Sequence, residues 1–344
     1  MRTLRILVVT NMYPTPEKPI FGVFVARQMA GVEKLGHTVQ VEFIRGDRSM
    51  GPYARGMRRV RSLTRKGAFD IVHAHYGLSG FVAAFQSIPL VVSFCGSDLL
   101  GVPNERGGIT SKSRLEIKLS HIAARRADGI ICKSEGMRES LPDRRDRDRA
   151  RVIGNGVDTD SFRPGDRALA RDRLGLSPTD RLILFPQDPV KSAIKRFDLA
   201  RSAVQRLGNG HEAKLWEVHG VTPELMPDYY HAADCLLLTS DHEGSPNVVK
   251  EALCCDLPVV SVDVGDVKHW LAMVPGCELV ASDPGAIAQG IEQVLGATGR
   301  VDGSRVRAAL SSDIVAKEVV QLYEAVLDAR ASRDSRNRQR GHDA

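Results

Sequence analysis

Two carboxylates eight positions apart, Glu243 and Glu251, lie in the stretch DHEGSPNVVKEAL, where an acidic turn gives way to a short helical pattern. The apolar run just before it, residues 235–239, has the length of a buried strand in a parallel sheet. Ser245 suits an N-cap and Pro246 the first helical position, with residues 247–255 helical and residues 257–264 forming the next strand. A strand, a turn bearing Gly244 and a helix N-terminus make a place for a phosphate, because backbone N–H groups point at it. Carboxylates repel phosphate, so their better use is to accept hydrogen bonds from sugar hydroxyls. Amides for a diphosphate beside carboxylates for hydroxyls suggest a pocket for a nucleotide-sugar.

A chain of 344 residues suits two domains of about 150 each. No apolar run reaches the ~18 residues of a membrane-spanning helix, and the brief apolar N-terminus reads as a first core strand rather than a leader. Six scattered cysteines show no CxxC or metal-ligand spacing, which fits free thiols in a reducing cytoplasm. Residues 1–150 carry 25 Lys/Arg against 14 Asp/Glu, whereas the remainder is mildly acidic. A basic first half suits an anionic lipid surface, a phosphorylated acceptor or plain solvation. Nucleic acid is not expected as a partner.

Both halves alternate strand and helix. In the first, residues 4–10, 37–44, 69–75, 88–94 and 129–133 read as strands, and residues 21–35 and 110–127 as helices. Residues 45–66 hold eight basic side chains, of which Arg55, Arg58, Arg59 and Arg65 share a helical face suited to anionic lipid or to water. The run 142–151, PDRRDRDRAR, reads as a solvated, self-paired surface segment. Gly, Asn and Pro cluster at residues 154–164, marking the crossover between domains. The second half restarts the alternation and closes on an amphipathic helix, residues 313–331, followed by a tail, 332–344, expected to be disordered.

The Glu-x7-Glu pair resembles the signature of retaining glycosyltransferases of the large family 4. GVFVARQMAGVEKLGHTVQV, DIVHAHYG, PLVVSFCGSD, VIGNGVDTDSFRP and KRFDLARSAV also fall where that family has counterparts, so the resemblance covers roughly residues 4–330. It implies the GT-B fold: two doubly wound, Rossmann-like α/β domains facing across a cleft. Residues 1–155 would form the acceptor-side domain and 156–312 the nucleotide-sugar domain, with 313–331 crossing back to the first.

The resemblance also assigns roles. Glu251 accepts hydrogen bonds from ribose hydroxyls, Glu243 contacts the donor sugar, and the backbone of Gly244, Ser245, Pro246 and Asn247 lies beside it. Lys195 matches a lysine that neutralises the donor diphosphate. The partner arginine would fall near Gln187 or Asp188, which cannot serve, leaving Lys191 or Arg196 to take its place. Gly22 matches half of a Gly-Gly pair near the donor phosphates, the other position being Phe21. His75 belongs to a His-x-His motif lining the cleft. Asp98 is a candidate for orienting the acceptor hydroxyl, but Cys95 stands where many members have a histidine, and a thiol cannot do what imidazole does.

The activity implied is transfer of a sugar from a UDP-, GDP- or TDP-linked donor to an acceptor hydroxyl with retention, in bacterial surface polysaccharide or glycoconjugate synthesis. The acceptor would be a sugar, a polyprenyl-linked molecule or a small molecule, and the enzyme cytoplasmic or peripheral on the inner membrane face. No cofactor or metal is expected. His73 and His75 lack a third ligand, and Asp146-Arg147-Asp148 and Asp158-Thr159-Asp160 lie away from the diphosphate. The sequence leaves open a natural-product transferase, a sugar-nucleotide epimerase, a phosphorylase-like enzyme, and a non-catalytic sugar-binding subunit, for which Cys95 is the best argument.

Overall fold

The computed structural model describes residues 2–46, 51–102, 108–186, 193–208, 210, 212–297 and 299–342. The chain divides into two compact units, Met1–Gly156 with Asp313–Ala344, and Val157–Ser312.

The first unit is built on six parallel strands, β1 (Arg5–Thr10), β2 (Thr38–Phe43), β3 (Ile71–His75), β4 (Leu90–Ser93), β5 (Gly129–Cys132) and β6 (Ala150–Val152), in the order β2-β1-β3-β4-β5-β6. Successive side chains point to opposite faces, and both faces are covered, which is why the inner strands read as unbroken apolar runs. One face, with Leu7, Val9, Val72, Ala74, Val92, Ile130 and Cys132, packs on the helices Gly51–Arg65, Gly77–Ala83 and Ser111–Arg126. The other face, with Ile6, Val8, Ile71, Val91 and Ile131, packs on the helix Val23–Lys34 and on the last helix, Ser312–His342. Val315, Val319, Leu322, Tyr323 and Val326 of that last helix are almost fully buried there. Each such side chain contributes roughly 2 kcal/mol by leaving water.

Two expectations for this unit need correction. The last helix runs through the tail expected to be disordered, to His342. It lacks apolar periodicity there, but Arg330 and Arg333 tether it through Ser87 O and Asp128 Oδ1 at 2.9 and 3.3 Å. The charged run 142–151 is also more than surface. Asp143 caps a helix, Arg144–Arg149, that leads into β6, while Asp146 is buried against Arg149, whose guanidinium also holds the carbonyls of Ala124 and Ala127.

The second unit has five parallel strands, β7 (Leu182–Phe185), β8 (Lys214–Glu217), β9 (Cys235–Leu238), β10 (Val259–Val262) and β11 (Glu278–Val280), in the order β11-β10-β9-β7-β8. Its core is one apolar cluster running from Val157 to Leu310, with β7, β9 and β10 buried throughout. In both units the carboxyl ends of the central strands carry the polar side chains singled out above, which is where doubly wound sheets bind ligands.

Candidate active site

In the second unit the chain leaves β9 through Thr239 and Ser240 and meets the single turn Ala193–Lys195. Thr239 Oγ1 donates to Lys195 O at 2.7 Å, and Asp241 N donates to Ile194 O at 2.9 Å. These bonds bring together residues that the sequence separates by 48 positions: Lys195 Nζ is ion-paired with Glu243 Oε1, and both side chains are mostly buried. Arg196, a non-glycine residue at φ 50°, opens the helix Phe197–Val204 and is paired with Asp241 at 2.9 Å. Lys191 lies outside the described residues, as do Gln187 and Asp188.

The helix after the acidic turn is Asn247–Cys254, and Pro246 is its N-cap, with no side chain capping it. Ser245 is not the cap the sequence suggests. Its hydroxyl is drawn aside, donating to Asp266 Oδ2 at 2.7 Å and accepting from Lys250 Nζ at 2.9 Å. Trp270 Nε1 holds the same Asp266 oxygen at 2.8 Å, so the turn is fixed by the loop after β10. Gly265 in that loop has φ +61°, and a Cβ there would sit 3.0 Å from Gly244 O. Glu251, one helical turn inside, receives the Tyr230 hydroxyl at 3.0 Å. Tyr230, Lys250, Gly265 and Asp266 were not singled out from sequence. Only the VDVGD run after β10, a glycine flanked by aspartates at a strand end, offered a signal.

In the first unit, Gly22 adopts φ +73° at the start of the helix Val23–Lys34, where a Cβ would lie 2.4 Å from the Met12 carbonyl carbon. Only glycine closes that loop. Asp98 is turned inward rather than toward an acceptor. It is fully buried, and its two oxygens accept from the amides of Gly77, Cys95 and Gly96 at 2.8–3.1 Å. Burial outweighs those amides and pushes its carboxyl up to about 6. The role Asp98 fills is to pin the loop after β4 against the start of the helix Gly77–Ala83. The residue before that helix, Tyr76, has φ 78° and ψ 141°, strained for a side chain.

His75 is also fully buried, and neither ring nitrogen has a hydrogen-bond partner. Its ring lies 4.1 Å from that of His73, which is held between Tyr323 Oη at 2.6 Å and Ser93 Oγ at 2.8 Å. Desolvation drives His73 down to about 3 and His75 well below its ordinary value. Both are therefore neutral at pH 7. Cys95 is held as a thiol, pushed up to about 12 by burial and the nearby Asp98. Among the described residues no group of three or more His, Cys, Asp or Glu is placed to hold a metal ion.

With this geometry in view, the comparisons with known proteins are consistent across the chain. Residues 4–161 match the family model "Glycosyltransferase Family 4", and residues 194–297 match "Glycosyl transferases group 1". The chain belongs to this family of glycosyltransferases, and its two parallel-sheet units are those of the GT-B fold. A D-inositol 3-phosphate glycosyltransferase from Mycobacterium marinum is 28% identical over 68% of this chain, which spans 60% of that relative's length. One from Geodermatophilus obscurus is 27% identical over 78% of this chain and 69% of its own. Among solved structures, sucrose-phosphate synthase from Thermosynechococcus elongatus superposes with a TM-score of 0.70 at 18% identity, covering 95% of this chain and 100% of its own. Anabaena HepE in complex with UDP and glucose gives 0.65 at 17% identity, covering 96% and 100%.

Proposed function

We propose that the protein transfers a sugar from a nucleotide-sugar to an acceptor hydroxyl with retention of configuration and without a metal ion bridging the diphosphate. The observation that carries this reading is the joining of Lys195 to Glu243 at the carboxyl edge of the second sheet, beside the helix that bears Glu251. A lysine there offsets the charge that collects on a leaving diphosphate. Glu251, steadied by Tyr230, offers an oxygen to the ribose hydroxyls, and Glu243 one to the sugar. UDP is the first donor nucleotide to test, since the structurally similar HepE binds UDP and glucose in its crystal structure.

In the step itself, the bond between the anomeric carbon and the diphosphate oxygen breaks, and its electron pair leaves with the diphosphate. The acceptor hydroxyl closes on the same face, and its proton passes to the departing phosphate oxygen. This route asks for no side-chain base. Cys95, neutral to about pH 12, is not one, and Asp98 is spent on backbone amides.

The acceptor hydroxyl belongs to a phosphate-bearing molecule. Two sources share that chemistry: a lipid-linked sugar phosphate of surface polysaccharide synthesis, and a phosphorylated cyclitol of the kind for which the relatives are named. The lipid source is favoured by a groove of about 410 Å³ in the first unit, with Met57, Leu78, Phe81 and Val82 as floor and Arg58 and Arg61 at its edge. Arg65 and Lys66 continue that basic edge. No helix among the described residues is long and apolar enough to cross a membrane, so such contact would be peripheral.

The test is calorimetric titration of UDP and UDP-glucose with EDTA present, followed by NMR of the anomeric proton in any product. Binding under EDTA and a product anomer matching the donor's are expected. A strict requirement for a divalent ion, or an inverted product, would overturn the reading.

A further inference from the structure

At the carboxyl edge of the first unit's sheet, a second basic side chain stands beside His75 without a partner. Lys133, the first residue after β5, is 2% exposed, and its Nζ has no hydrogen-bond partner. Strand alternation puts it on the same face as His75. Ile71, Val91 and Ile131 belong to the apolar cluster of that face, so His73 and His75, Ser93 and Cys95, and Lys133 follow at every second position. The register pairs His75 with Ser93, and Ser93 with Ile131, so Lys133 and Cys95 lie two residues further toward the carboxyl edge than His75.

The polar groups around Lys133 are already engaged. Asp98 is saturated by backbone amides, His73 bridges Tyr323 and Ser93, and the Cys95 thiol donates to Ser93 O at 3.6 Å. No carboxylate among the described residues pairs with the lysine. A buried ammonium with neither counter-ion nor hydrogen bond is costly, and an apolar side chain of the same volume would serve stability better. Burial accordingly drives the amine's pKa down. A group so placed is explained by a ligand. The site is at the strand ends where doubly wound sheets bind them, and the four-carbon stem lets the amine swing outward.

We propose that Lys133, with His75 beside it, anchors the phosphate of the acceptor. The inference rests on the acceptor reading above and adds the residues that select it. When the phosphate arrives, the amine swings out to hold the anion as ammonium, and neutral His75 donates one ring N–H to it.

The experiment uses the full chain, its Lys133→Met and Lys133→Gln variants, and four probes: UDP, myo-inositol, D-inositol 3-phosphate, and a polyprenyl phosphate in mixed micelles. Wild type is expected to bind one phosphorylated probe at least tenfold tighter than its unphosphorylated counterpart, read by calorimetric titration. Which probe it prefers separates the cyclitol from the lipid source. Both variants should lose that preference, keep UDP affinity, and in Lys133→Met melt no lower than wild type. A fall of several degrees in both variants with phosphate preference intact would show a structural lysine and overturn the proposal, as would a wild type blind to phosphate. Should UDP fail to bind while Lys133-dependent phosphate binding persists, the anion site stands and the transferase reading falls.

Discussion

The Lys195 ammonium and the Glu243 carboxylate neutralise one another across two loops of the second unit. In the proposed function, the cation for a diphosphate and the oxygen for a sugar are therefore partners until a donor separates them. Freeing the lysine should help the nucleotide and hurt the reaction. Glu243→Gln is expected to tighten UDP a few-fold while lowering turnover of the nucleotide-sugar by at least a hundredfold. Lys195→Ala should weaken UDP about tenfold, near the worth of one charge-assisted bond. Calorimetry and a nucleotide-release assay read both. UDP affinity unmoved by either change would remove the pair from the donor site.

Tyr230 gives a gentler probe of the same site, because its hydroxyl donates to Glu251 Oε2 from the neighbouring helix Met226–Ala232. Tyr230→Phe keeps the ring, which is fully buried, and removes the oxygen. The expected loss is about 1 kcal/mol, a five- to tenfold weaker UDP, with the nucleotide base and phosphates still bound. UMP and UDP should weaken equally, since both carry the ribose. If only UDP weakened, Glu251 would belong with the phosphates.

Much of this was readable in the sequence because parallel strands buried on both faces appear as unbroken apolar runs, such as residues 235–238 and 259–262. Glu243, Glu251 and Lys195 stand out because their types and their neighbours set them apart. What stayed hidden depends on tertiary contact. Ser245 has the letter of a cap, but Asp266, twenty-one positions on, claims its hydroxyl. Asp98 reads as a group to orient the acceptor hydroxyl, whereas in the structure its oxygens accept from three backbone amides. Lys133 reads only as the last residue of a strand, just before a Ser-Glu helix start, and its burial is what reveals it. The last helix outran its apolar pattern, and two arginine tethers hold its extension.

Acid should destabilise the first unit through its histidines. His73, held at about 3, and His75, held well below its ordinary value of 6.5, are neutral when folded and take protons when unfolded. Their contribution is complete above pH 6.5 and is lost as pH falls. Lys133 acts with the same sign. Asp98, raised from 3.8 to about 6, acts oppositely, and its contribution is lost as pH rises through 6. Two histidines against one aspartate leave a net loss of stability as pH falls from roughly 6 to 4. His75→Leu removes one histidine without orphaning any partner, and should flatten that slope. Urea unfolding at pH 7, 6 and 5 measures it, and equal slopes in the two proteins would place the acid sensitivity elsewhere.

Gly265 tests whether the loop after β10 sets the donor site. Its φ of +61° disfavours any side chain, and a Cβ would press on Gly244 O at 3.0 Å and Glu243 O at 3.2 Å. Gly265→Ala therefore combines about 1 kcal/mol of left-handed strain with a push on the turn that carries Glu243. Gly175 supplies the control. It has φ +65° with nothing within 4 Å of a Cβ, so Gly175→Ala carries the strain alone. Both variants should melt a few degrees lower. Only Gly265→Ala should also weaken the nucleotide-sugar, by about five- to tenfold, because only there does the added methyl reach residues of the site. Equal donor affinities in the two variants would mean the turn gives way without moving Glu243, and that Gly265 serves the fold alone.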